Sequence, residues 1–282
     1  MTDTVISQLW IYPIKSLKGI SLESVQLEKR GFQYDRRWML VDSNNNFITQ
    51  RQYPHMSQID VGLSDFGLSV HAPEMPCLII PYPDMEINLY DEMQVNCWGE
   101  NLTAKHINTA IDNWFSEALG VDCQLVYMPE NTLRPVDPEF ARQDDIASFS
   151  DGFPNLLISE ASLEDLNSRI QTAVESEWVK PLTISRFRPN IVISGCGPYA
   201  EDTMKHFQIN QIDFFAVKPC SRCVITTIDP QTGKKSGTEP LKTLSNFRKK
   251  ANKVYFGQNL LHKLSFISDN RLKIGDPLKI LD

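Results

Sequence analysis

The stretch Val224-Ile225-Thr226-Thr227-Ile228-Asp229-Pro230-Gln231-Thr232-Gly233 decides the class of fold. Its β-branched, alternating first half reads as a strand, and Asp-Pro-Gln-Thr-Gly reads as a turn. Outward from it, the same unit of short β-type run and turn recurs at 5–12, 38–42, 68–71, 86–90, 94–98, 124–128, 190–194, 213–217 and 263–267. Strands at this spacing predict barrels or sandwiches rather than a doubly wound sheet. Three helices interrupt them. One spans 109–119, with Ile111, Trp114, Phe115 and Leu119 at helical spacing and Gly120 as its stop. A second starts near Ser159 or Ser162 and carries Leu163, Leu166, Ile170 and Val174 on one face. A third spans 240–250, opens on Pro240, turns Leu241, Leu244 and Phe247 inward and ends in basic residues that suit its dipole. The expected fold class is mainly β with a few helices (α+β).

The chain has 282 residues, 41% of them hydrophobic, enough for a sizeable core and for two domains of ordinary size. The polar, Pro-containing stretch 129–150 separates the first two helices, and the boundary is expected just before it, giving domains 1–123 and 124–282. With 28 Lys and Arg against 35 Asp and Glu, the formal charge is −7, which argues against a nucleic-acid or anionic-membrane partner. Any bound anion needs a local cluster of cations. The longest apolar runs, 77–80 and 191–193, fall far short of the about 20 residues that span a bilayer. Met1-Thr2-Asp3-Thr4 has no signal-peptide character, so a cytoplasmic location is expected. Six cysteines (Cys77, Cys97, Cys123, Cys196, Cys220 and Cys223) in so long a chain do not form a disulfide framework.

Lys218-Pro219-Cys220-Ser221-Arg222-Cys223 leaves several readings open. A structural zinc site needs two further ligands, and the nearest histidines are His206 and His262. A thioredoxin-type pair opens a helix, whereas a β-branched run follows here. The pair is otherwise two small core residues, or one thiolate serves as nucleophile or metal ligand. Arg222 and Lys218 flank it, and cations stabilise a thiolate. A soft thiolate suits a thiophilic metal, and a metal held partly by an organic cofactor needs only one protein ligand. Other cations sit in tight contexts: Lys15-Ser16 after Pro13, Arg36 in Asp35-Arg36-Arg37-Trp38, and Arg188 in Phe187-Arg188-Pro189-Asn190. Cations beside hydroxyls and free N–H groups suit a phosphate-bearing ligand. Composition and spacing do not unite these sites.

Taken in order, Ile11-Tyr12-Pro13-Ile14-Lys15-Ser16, Tyr34-Asp35-Arg36-Arg37-Trp38, Ser150-Asp151, Leu157-Ile158-Ser159-Glu160-Ala161-Ser162-Leu163, Phe187-Arg188-Pro189-Asn190-Ile191-Val192-Ile193-Ser194-Gly195 and Cys220-Ser221-Arg222-Cys223 do unite them. Over essentially the whole chain, to Lys273-Ile274-Gly275-Asp276-Pro277, they resemble the MOSC proteins, and more narrowly the mitochondrial amidoxime reducing component and its bacterial relatives. The resemblance implies an N-terminal MOSC-associated β-barrel domain followed by a MOSC β-barrel domain, and a molybdenum cofactor (molybdopterin with Mo). It implies Cys223 as catalytic residue and metal ligand. Lys15, Ser16, Arg36, Arg188, Asn190, Ser221 and Arg222 are implied as cofactor contacts, with Asp151, Gly152 and Phe153 as a loop against it. At Gly152 and Phe153 the chain departs from the hydroxyl-bearing residues of the amidoxime reductases.

The implied activity is reduction of N-hydroxylated or N-oxygenated small molecules, N–OH to N–H. The alternative is a non-catalytic binding or sulfur-carrier module for the cofactor, and a third reading is a cofactor-free interaction domain. Pyridoxal phosphate binding is implied only at the level of the whole family. The chain has no cysteine after Cys223 and no G-x-G-x-x-G, hence no plant-type iron–sulfur spacing or dinucleotide fingerprint. Electrons are therefore expected from a separate donor protein, a ferredoxin, flavodoxin, cytochrome b5-like protein or reductase, with no nucleic acid and no membrane among the partners.

Overall fold

The first strand turns Ile6, Leu9 and Ile11 inward, and the partner they find comes from the far half of the chain. The computed structural model describes residues 3–83, 91–142, 144–173, 180–267 and 269–281. In it Val5–Ile11 runs antiparallel to Ile191–Ser194, with Leu9 opposite Ile191. A register shift between Ile6 and Gln8 moves the inward phase from Ile6 to Leu9 and Ile11. All three are buried with Leu157, Phe207, Phe214 and Leu260.

The resulting sheet runs Ile20–Leu22, Val5–Ile11, Ile191–Ser194, Asn155–Ser159, Lys253–Lys263, Ile212–Ser221, His206–Ile209 and Lys279–Ile280, with Lys249–Lys250 added beside Lys253–Lys263. Asn155–Ser159 and Ile191–Ser194 are parallel, so the chain between them must cross over. Helix α2 (Glu160–Ala173) occupies part of that crossover and buries Leu166 and Ile170 on the sheet. Ser159 starts it, its Oγ accepting from Ser162 N at 3.1 Å. With its outer face covered, Asn155–Ser159 is buried at all five positions.

A second sheet is built on Trp38–Val41, Gln124–Tyr127, Glu100–His106 and Asp91–Cys97, paired in that order. Helix α1 (Thr109–Leu119) packs Ile111, Phe115 and Leu119 against Trp38 and Leu40. Asn108 Oδ1 accepts from Ile111 N, and Gly120 closes the helix at φ 65°. Asp60–Ser64, Gly67–His71 and Leu78–Pro81 form a third sheet. The chain is thus mostly β with a few helices, as expected.

Four expectations change. Residues 224–229 are not one strand: Val224–Thr227 is a 3-10 turn, and only Ile228–Asp229 is extended. Thr226 Oγ1 donates to Cys223 O at 2.9 Å and Thr227 Oγ1 to Val224 O at 2.8 Å, so the hydroxyls stabilise a tight turn that their β-branching disfavours. The absence of a helical turn after the cysteine pair therefore does not hold. Residues 264–267 are not a strand; the strand lies upstream, at Lys253–Lys263. Helix α3 (Leu241–Phe247) stops short of the basic residues, and Lys249–Lys250 turn back as a strand on Lys253–Lys263. Trp98 leaves its strand at φ 60° and, with Gly99 at φ 87°, makes the two-residue turn between Asp91–Cys97 and Glu100–His106. The expected strand 86–90 and Val174 lie outside the described residues.

His262, on Lys253–Lys263, ties the halves together. Its Nε2 donates to Glu28 O at 2.8 Å, and its Nδ1 faces the Asn155 amide nitrogen at 3.3 Å. Burial pushes its pKa down to about 4. The native state keeps it neutral, while the unfolded chain takes up a proton near pH 6.5. Stability is therefore full above about pH 6.5 and is lost as the pH falls toward 4, by about 2 kcal/mol at pH 5. Urea unfolding at pH 7 and pH 5 measures this loss, and His262→Gln should flatten it. Equal pH dependence in both proteins contradicts the assignment.

Candidate functional site

Pro13 and the left-handed Ser16 (φ 69°) turn the chain after Val5–Ile11 so that Lys15 reaches an open cleft of about 380 Å³ between the two halves. Lys15 is buried; its Nζ donates to Phe149 O at 2.7 Å and Asp151 Oδ1 at 2.8 Å, and lies 5.4 Å from the Phe47 ring and 5.5 Å from Trp98. Arg36 (φ 49°) enters from the strand edge before Trp38. Arg188 (φ 52°) caps the 3-10 turn Ile184–Phe187 and donates to Leu17 O at 2.7 Å. Both guanidiniums lie over the Tyr12 ring, at 4.3 and 4.1 Å. Ser16, Arg36, Arg188 and Trp98 all hold positive φ, so four of the chain's less favourable backbone conformations lie at this cleft.

Arg36 is also a structural clamp. Its Nη1 pairs with Asp35 at 2.6 Å and donates to Asn190 Oδ1 at 3.1 Å; its Nη2 donates to Arg188 O at 3.2 Å. Asn190 is itself buried, taking Leu156 N on its oxygen and giving its amide to Trp10 O.

The two thiols differ. Cys220 accepts from Arg222 Nη1 at 2.8 Å and packs beside Phe187, Leu244 and Phe256. Cys223, half-buried between Ile212–Ser221 and the 3-10 turn, faces Arg51 Nη2 of the other half at 3.5 Å. Arg51 stacks 4.9 Å from Trp98.

Charge is the dominant property. Among the described residues, the lining holds seven cationic side chains (Lys15, Arg36, Arg51, Arg186, Arg188, Lys218 and Arg222) and one carboxylate, Asp151, in a protein of net charge −7. Crowding by protein atoms opposes the ionisation of Asp151, but Lys15, with Arg51 and Arg36 behind it, prevails and holds the carboxyl well below the usual range. Its side chain is 68% exposed, so the pair is screened and adds little stability. Crowding and the like charge of Arg36 push Arg188 down to about 10. It remains a cation at neutral pH, and an anion beside it relieves that repulsion. Among the described residues, two buried atoms of the lining residues lack partners, the acceptor Asn155 Oδ1 and the donor Arg222 Nε. A phosphate-bearing group with N–H donors and a thiophilic metal matches this set.

Of the residues expected from the sequence, Lys15, Ser16, Arg36, Asp151, Phe153, Arg188, Asn190, Ser221, Arg222 and Cys223 line one cleft. Gly152 is not among them; it turns the loop at φ 136° with open space where a side chain would be. Arg51, Trp98, Asn155 and Arg186 escaped the reading. Arg51 and Asn155 carry no local signal. For Trp98 the signal was an aromatic directly before Gly in a hairpin turn, where Asn or Asp is usual.

The chain matches the family model of the MOSC N-terminal beta barrel domain over residues 3–122 and that of the MOSC domain over 144–279. It is 34% identical over 289 residues to mitochondrial amidoxime-reducing component 1 of Mus musculus and 32% identical over 288 to that of Homo sapiens, in each case covering 98% of this chain and 82% of the relative. It is also 31% identical to the molybdenum cofactor sulfurase of Oryza sativa subsp. japonica, covering 99% of this chain and 35% of that protein. The chain belongs to the MOSC family that includes the amidoxime-reducing components.

Asp35 is 1% exposed, and burial pushes its carboxyl up despite Arg36. Arg36→Ala strands that carboxylate and should cost about 3–5 kcal/mol. Lys15→Ala releases an exposed carboxylate and one neutral carbonyl, that of Phe149, and should cost less than half as much. Urea denaturation of the two variants measures the difference, and equal midpoints would contradict this division of roles.

Proposed function

We propose that the protein is a molybdenum-cofactor-dependent reductase of N-hydroxylated or N-oxygenated compounds. The observation that carries this reading is the Cys223 thiol opening on a cleft with seven cations and one carboxylate. Amidoxime-reducing relatives that match almost the whole chain support it. In this reading Cys223 ligates the metal, while Lys15, Ser16, Arg188, Ser221 and Arg222 bind the pterin and its phosphate. The bound cofactor supplies the two-electron oxygen-atom chemistry; the balance is N–OH plus two electrons and two protons to N–H plus water. Asp151 stays ionised at neutral pH and so accepts hydrogen bonds rather than delivering a proton. Arg51 holds the Cys223 side chain, and Trp98 walls the cleft beside Arg51. Electrons come from a separate redox protein.

The rice relative supports a second reading, a module that carries sulfur or cofactor without turnover. Purified protein, an amidoxime and a dithionite-reduced viologen separate the two. The reductase reading expects steady formation of the amidine. Cys223→Ser should remove it with folding intact, because an alcohol is a harder and far less acidic ligand. Cys220→Ser should retain most of it, since that thiol, although it also lines the cleft, is engaged by Arg222 and packs against the core on its other side. NADH or NADPH without a partner should give negligible rates. No amidine from molybdenum-loaded protein would exclude the reductase, and equal loss in both serine variants would move the ligand role away from Cys223 alone.

A further inference from the structure

Residues 234–253 depart from the acidic character of the chain. They hold Lys234, Lys235, Lys242, Arg248, Lys249, Lys250 and Lys253 against one carboxylate, Glu239. Arg248 is taken by Asp202, while all six lysines are exposed and none has an ion pair among the described residues. Glu239 is occupied as well, accepting from Thr243 N at 3.1 Å.

The placement is as uneven as the charge. Lys234–Lys235 close the hairpin begun by Ile228–Asp229, α3 carries Lys242, and Lys249–Lys250 pair with the start of Lys253–Lys263. The strand Ile228–Asp229 and α3 both pack on the 3-10 turn Val224–Thr227, whose cap is Cys223, and Lys249–Lys250 packs on α3. The basic elements are thus built around the turn that Cys223 caps.

It is also built at a cost to the fold. Lys250 stands directly opposite Lys253 in the ladder, a cross-strand like-charge pair that destabilises a hairpin. Nothing in the packing requires a lysine at either exposed position.

We infer that this face docks an acidic electron-carrier protein, a redox protein whose cofactor edge is ringed by carboxylates. The partner class rests on the reductase reading, which requires an outside donor. The surface itself rests on the lysines and on the packing of their elements around the turn that Cys223 caps. Charge complementarity of this kind accelerates encounter and weakens with salt. Each turnover takes two electrons from the carrier, as one two-electron or two one-electron transfers, and the two protons come from water.

The test uses the whole protein and an acidic plant-type [2Fe–2S] ferredoxin as probe, with binding measured calorimetrically at low and high salt. The triple variant Lys249→Glu, Lys250→Glu, Lys253→Glu should bind about tenfold more weakly or worse at low salt, with the difference shrinking as salt rises. Lys249→Gln, Lys250→Gln, Lys253→Gln removes the like charges without strain and should weaken binding in the same direction by less. Lys29→Glu, Lys273→Glu, Lys279→Glu makes the same charge change on exposed lysines elsewhere and should leave binding within about twofold. In turnover, the first variant should lose ferredoxin-driven amidine formation while its reduced-viologen rate stays unchanged. Unaltered ferredoxin affinity, equal loss in the control triple, or binding to DNA or anionic vesicles in place of ferredoxin would overturn the inference. Loss of viologen activity in wild type would overturn the reductase reading and leave the binding result to decide the surface.

Discussion

The contact on which the rest depends is the Arg36 guanidinium held between Asp35, Asn190 and the Arg188 carbonyl. One planar group bonds a buried carboxylate of the first half and two groups of the second. It does so over the Tyr12 ring that it shares with Arg188. Two like charges at one ring repel each other. They persist because Asp35 neutralises one and the Leu17 carbonyl accepts from the other. The halves meet as one surface because this clamp continues the seam where Val5–Ile11 pairs with Ile191–Ser194.

From that seam the character of the cleft follows. Strands from both halves end at it, and left-handed Ser16, Arg36 and Arg188 turn polar groups toward it. The cationic surplus is local, set inside an acidic chain, so it acts over a few ångströms rather than as a long-range field. Arg51, from the first half, lies beside the thiol of the second. The arrangement suits a ligand that brings its own negative charge and leaves one soft position for sulfur.

Much of this was legible from the residues. Helix α1 was readable end to end because Gly120 and the spacing of Ile111, Phe115 and Leu119 are local signals. The motifs around Lys15, Arg36, Arg188 and Cys223 were readable singly, and the resemblance joined them. Lys253–Lys263 was missed because its buried positions include Gln258 and His262, which break an apolar pattern and are satisfied by Asp202 and the Glu28 carbonyl. The turn after Cys223 was misread because threonine hydroxyls bonded back to carbonyls override β-branching. Arg51 and Asn155 were invisible because their importance lies in contacts across the chain, which no window of sequence contains.

The central claim is that Cys223 completes the sulfur ligation of a cleft-bound molybdenum. Molybdenum-edge X-ray absorption on wild type and on Cys223→Ser tests it directly. The account predicts one fewer sulfur neighbour around the metal in the variant, with the Cys220→Ser spectrum unchanged. An unchanged sulfur count in Cys223→Ser with molybdenum retained would contradict it.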